Sequence, residues 1–90
     1  MDLNKKVTFA DTIFAQEVDG EMVLLDMNSE NYFGLDAVGT SIWQAMEKNR
    51  SLKEVLDVLL EEYDVEYDVL EKDLLLFVDK LLDNQLIEVN

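Results

Sequence analysis

The chain has 90 residues with 21 acids against seven bases, a net charge of −14, 49% hydrophobic residues and neither cysteine nor histidine. That composition suits one small domain with a single core, and it excludes disulfides, thiolate nucleophiles, imidazole bases and zinc sites built on nitrogen or sulfur. It also repels phosphates, which nucleic-acid readers must neutralise with Lys and Arg.

Along the chain, residues 1–11 show no clear period and are expected to form a loose tail ahead of a domain over residues 12–90. Thr12 to Val18 is β-branched and aromatic, and Asp19-Gly20 supplies the positive-φ pair of a tight hairpin turn. The returning strand, Glu21 to Met27, holds the nearly continuous apolar run Met22-Val23-Leu24-Leu25, as expected of a middle strand covered on both faces. A second turn cluster, Asn28 to Asn31, leads into the short strand Tyr32-Phe33-Gly34-Leu35, with Tyr32 and Gly34 on one face and Phe33 and Leu35 on the other. Gly34, inside a strand, marks a bulge or a place where another backbone comes close.

The remaining residues have helical periodicity. Asp36 fits an N-cap, followed by the stripe Val38, Ile42, Ala45 and Met46 with Trp43 beside it, and Lys48-Asn49-Arg50 closes this helix with cations at its negative end. Ser51-Leu52-Lys53-Glu54 is a capping box that opens a second helix with the stripe Leu52, Val55, Leu56, Leu59, Leu60 and Tyr63. A third helix is expected from about Tyr67 to Asn84, with Leu70, Leu74, Phe77, Val78, Leu81 and Leu82 on a broad apolar arc and Leu76 outside it. Leu86 to Val89 reads as a brief last strand. The fold class is therefore α+β, winged helix-turn-helix-like: an N-terminal three-stranded antiparallel sheet followed by three helices.

Acidity is uneven. Residues 1–50 carry nine acids and four bases, net −5, and residues 51–90 carry twelve and three, net −9. The helical half thus has the stronger field, which suits either solubility or a Lys-rich partner. Asp26-x-Asn28-x-Glu30 begins like a calcium loop, but Asn31 and Ala37 stand where an EF-hand needs Gly and Glu. Neighbouring acids such as Glu61 and Glu62, or Asp79 and Asp83, have nothing to drive their pKa values apart for acid/base work. No catalytic residue, metal or cofactor is expected. An acidic helical chain with Ser51 at a helix start leaves one alternative, a carrier protein modified at Ser51 by phosphopantetheine, although Arg50 replaces the Asp usual before that serine and strands have no place in that fold.

The strings Val18-Asp19-Gly20-Glu21-Met22-Val23-Leu24-Leu25-Asp26 and Tyr32-Phe33-Gly34-Leu35-Asp36-x-Val38-Gly39-x-x-Ile42-Trp43 closely resemble PqqD-like proteins, the peptide recognition elements of ribosomally made, modified peptide pathways. The similarity spans about residues 10–89 and looks most like the stand-alone recognition proteins of lasso-peptide clusters. Gln85 departs from the pattern, where relatives commonly have Gly after the third helix.

No apolar run approaches the ~20 residues of a membrane span and Met1 to Asp11 lacks a signal peptide's apolar stretch, so a cytoplasmic protein is expected. The resemblance implies a non-enzyme. It would bind a precursor's leader segment by strand addition between the third strand and third helix, then deliver it to a separate leader peptidase and cyclase. Neither nucleic acid nor membrane is implied as a partner, and a monomer or a weak, domain-swapped dimer is expected. Placed on this sequence, the binding residues are Asn31, Tyr32, Phe33, Gly34 and Leu35 from the strand and Asp73, Leu74, Leu76, Phe77, Lys80 and Leu81 from the helix, with Asp79 or Asp83 available for leader cations. Asn31, Phe33 and Leu35 are expected to carry the backbone ladder, with the opposite parity left open.

Overall fold

In the computed structural model, which describes residues 3–49 and 51–90, the chain runs β1 (Val7–Phe9), β2 (Ile13–Val18), β3 (Glu21–Asp26), β4 (Asn31–Gly34), α1 (Ala37–Lys48), α2 (Leu52–Glu62), α3 (Tyr67–Asp83) and β5 (Ile87–Val89). The first hairpin forms as its turn chemistry requires. Asp19 and Gly20 have φ of 54° and 85°, and β2 pairs antiparallel with β3 from Val18↔Glu21 to Ile13↔Asp26. A second reversal, with Glu30 at φ 64°, returns β4 antiparallel to β3. The sheet order is β2-β3-β4, so β3 is the middle strand and β4 an edge.

Strand alternation sends Ile13, Ala15, Met22, Leu24 and Phe33 to an inner face that packs against the core. The helices cover this face, and Gln44 of α1 donates from Nε2 to Glu17 Oε1 of β2 at 2.8 Å. Asp36 caps α1 by accepting the Gly39 N–H at 2.8 Å. Ser51 caps α2, where its Oγ accepts the Glu54 N–H at 3.2 Å and lies 2.8 Å from Glu54 Oε1. Ile42, Trp43, Ala45 and Met46 of α1, Leu52, Val55, Leu56 and Leu59 of α2, and Leu70, Leu74, Val78 and Leu81 of α3 make up the helical share of the core. Val38, expected in the α1 stripe, is instead 42% exposed; Arg50, expected at the helix end, lies outside the described residues.

The N-terminal segment departs from the expectation of a loose tail over residues 1–11. Val7–Phe9 pairs with β5 in the register Val7↔Val89 to Phe9↔Ile87. Val7 is buried, and the Phe9 ring lies 4.5 Å from that of Trp43. The main-chain N–H groups of Leu52 and Lys53 donate to the carbonyls of Lys5 and Leu3. The pairing joins residues eighty positions apart, so no local period announces it. Met1 and Asp2 of that expected tail lie outside the described residues. Among the described residues, no helix is long and apolar enough to cross a membrane.

Candidate functional site

The direction of the free hydrogen-bonding groups on β4 follows from two bonds at the ends of the sheet. Leu35 N–H donates to Met22 O at 2.9 Å, and Met27 N–H donates to Thr12 O at 2.9 Å. In an antiparallel ladder these bonded pairs alternate, so Met22, Leu24 and Asp26 turn their main chains toward Leu35, Phe33 and Asn31. Tyr32 and Gly34 then point their N–H and C=O groups away from the sheet. The open parity is thereby resolved against the first expectation: Asn31, Phe33 and Leu35 are occupied by β3, and Tyr32 and Gly34 hold the free edge.

Beyond this edge lies a cleft of about 340 Å³ between β4 and the C-terminal half of α3, walled by Phe33, Gly34 and Leu35 on one side and Phe77, Lys80, Leu81 and Asn84 on the other. Asp36, Gly39 and Leu86 complete its lining. Phe77 sits low because Gly39 has no side chain: a Cβ there would stand 3.2 Å from Phe77 Cε1 and 3.2 Å from Asp36 Oδ1. At Gly34, the expected place of a bulge or an approaching backbone, a Cβ would meet nothing within 4 Å, and the tight glycine is Gly39, crowded by side chains.

A second groove, of about 550 Å³, continues past Phe77 between the start of α1 and α3. It is lined by Asp36, Val38, Gly39, Ile42, Asp73, Leu76, Phe77, Asp79, Lys80 and Asp83. Of the expected site residues, Phe33, Gly34, Leu35, Phe77, Lys80 and Leu81 meet at the cleft, whereas Asp73 and Leu76 belong to the second groove. Leu74 has no exposed surface and is core. The Tyr32 side chain is 72% exposed on the outer face of the sheet, beside Leu25, Met27 and Glu30, so only its main chain faces the edge. Sequence reasoning missed Asn84 and Leu86 as cleft residues and Gly39 as its hinge of packing.

A spare strand edge beside an apolar cleft is the geometry for capturing an extended peptide, and the comparisons with known proteins agree with it. The family model for coenzyme PQQ synthesis protein D, PqqD, matches residues 21–87. The chain belongs to the PqqD family. Two solved structures resemble this PqqD fold closely. One, described as TbiB1 in complex with the TbiA(beta) leader peptide, is 36% identical with a TM-score of 0.84 and covers 89% of this chain and 93% of its own. The other, lasso peptide synthetase B1 complexed with the leader peptide, is 29% identical with a TM-score of 0.83, covering 92% and 98% respectively. No curated protein matches the chain.

Proposed function

We propose that this protein is a non-catalytic recognition element of lasso-peptide biosynthesis that binds the leader segment of a precursor peptide as an added strand on β4. The observation that carries the reading is the free edge at Tyr32 and Gly34 alongside the Phe33–Phe77–Leu81 cleft. Likeness to two proteins solved with leader peptides supports it.

The energetics say where selectivity resides. Two residues with one donor and one acceptor each offer four bonds, worth ~0.5–1.5 kcal/mol apiece net. Ordering the paired peptide costs ~1–2 kcal/mol per residue. Those contributions nearly cancel, so affinity rests on apolar leader side chains entering the cleft, at ~1.5–3 kcal/mol for each one fully buried. The ladder sets register and direction, and the cleft reads sequence.

Delivery to a leader peptidase and cyclase uses a different surface. Across the outer face of the sheet, Phe14, Leu25 and Tyr32 form one cross-strand row, with Phe14 54% and Met27 58% exposed nearby. Among the described residues no helix covers this face, which leaves Phe14, Met27 and Tyr32 exposed, and two chains of net charge −14 repel each other. A processing enzyme with an apolar centre and a basic rim fits it better than a second copy does. A leader strand on β4 would lie at the margin of the same face, bringing the precursor beside the enzyme.

The rival reading, a carrier modified at Ser51, gains no support: Ser51 Oγ is engaged at the start of α2 by the Glu54 main chain and carboxylate. Titrating fluorescein-labelled TbiA(beta) leader peptide tests the proposal. Saturable binding that a scrambled peptide does not reproduce is expected, and a flat titration contradicts it.

A further inference from the structure

The second groove has a composition unlike that of the cleft it adjoins. Its floor is apolar and open, with Leu76 58% and Val38 42% exposed. Its rim carries four carboxylates, Asp36, Asp73, Asp79 and Asp83, against the single ammonium of Lys80. Asp36 is engaged in capping α1, which leaves the three α3 carboxylates for a ligand. The groove also shares Asp36, Gly39, Phe77 and Lys80 with the cleft, so a peptide held in one reaches the other by passing Phe77.

An apolar floor with an anionic rim suits a side chain that is a hydrocarbon for most of its length and cationic at its tip. We infer that this groove is a second recognition subsite, selective for a Lys or Arg of the bound leader, with the stem over Val38 and Leu76 and the charge among Asp73, Asp79 and Asp83. The inference rests on the leader-binding reading and deepens it: the leader presents an apolar anchor to the cleft and a basic residue beyond the strand-paired segment. Charge sets that order: the cleft lining balances Lys80 against Asp36 alone, whereas the groove sets four carboxylates against the same ammonium. The general acidity of the chain attracts any cation over a Debye length. Only a local subsite makes one leader position special.

A lysine scan separates the two effects. Single Lys substitutions along the labelled TbiA(beta) leader are titrated at physiological salt against wild type, the groove variant Asp73→Asn/Asp79→Asn/Asp83→Asn, and a control variant of equal net charge, Glu61→Gln/Asp64→Asn/Glu66→Gln. All three proteins are checked for unchanged helical circular dichroism. On wild type, Lys at one or two adjacent positions is expected to tighten binding by about fivefold, the scale of a well-placed partly exposed ion pair. The control keeps that gain and the groove variant loses it. A gain spread evenly over all positions, no gain anywhere, or a gain the groove variant retains overturns the subsite. Failure of wild type to bind the unmodified peptide instead overturns the leader-binding reading, and the subsite with it.

Discussion

Gly39 on α1 lies beneath the ring of Phe77 on α3, so close that a Cβ on the glycine would stand 3.2 Å from Cε1 of that ring. This contact seats Phe77 as the wall common to the cleft and the second groove. Gly39→Ala is expected to leave thermal stability nearly unchanged, because Ala is the better helix former by up to about 1 kcal/mol and that gain offsets shifts of Phe77 and of the Asp36 cap by a few tenths of an ångström. Leader affinity is expected to fall severalfold, since the displaced ring reshapes both compartments. Paired melting and peptide titrations check it, and equal affinity would separate Phe77 placement from recognition.

Thr40 is the buried polar side chain that ends the β3–β4 ladder. Its Oγ1 accepts the Met22 N–H at 2.9 Å and lies 3.5 Å from Leu35 O. It thus ties the start of α1 to the sheet where β4 stops. Thr40→Val keeps the shape and strands the Met22 N–H, so a loss of about 1–3 kcal/mol in denaturant unfolding is expected. Thr40→Ser restores most of the hydrogen bonding and is expected to lose less.

Asp26 at the β3–β4 turn accepts the Asn28 N–H at 3.0 Å and the Ser29 hydroxyl at 3.0 Å. The backbone N–H of Asn28, more than any other group, holds its carboxyl below the usual aspartate value. A depressed pKa in the folded state contributes stability that is fully present above the unfolded value and disappears as pH falls through the folded one. Asp26→Asn is therefore expected to be less stable than wild type near neutrality, with the gap closing at acid pH below the ordinary aspartate range. A gap independent of pH would remove charge from the explanation.

At the end of α3, Gln85 has φ 59°, its N–H donates to Leu82 O, and Leu86 N–H donates to Leu81 O. This is a Schellman closure with Leu86 packed inward. The position favours glycine, and Gln85→Gly is expected to raise stability by about 0.5–1 kcal/mol, read as a higher melting temperature. No increase would mean that the Gln85 side chain compensates for its backbone conformation.

Local signals in the sequence carry much of this architecture. Asp19-Gly20 specifies a turn through φ alone, Asp36 and Ser51 start helices by accepting main-chain N–H groups, and the α3 stripe follows helical period. What escaped has remote causes. The β1–β5 pair joins three-residue strands from opposite ends of the chain, too short for a period to register. Helical period already separates Leu74, fully buried on the α3 stripe, from Leu76, 58% exposed off it, but it does not reveal that Leu76 shares a groove with Val38 and Ile42 of α1. The role of Gly39 depends on Phe77, thirty-eight residues later. The parity of β4 depends on two bonds, Leu35 to Met22 and Met27 to Thr12, both beyond the ends of the paired strands.

Amide hydrogen exchange of β4 with and without the TbiA(beta) leader tests the central claim most directly. In the free protein the Phe33 N–H faces β3 and those of Tyr32 and Gly34 face outward. Leader binding is expected to slow exchange at Tyr32 and Gly34 strongly while leaving Phe33 nearly as protected as before. Saturating leader that leaves Tyr32 and Gly34 exchanging freely, or that protects the outer edge of β2 in their place, would contradict strand addition at β4.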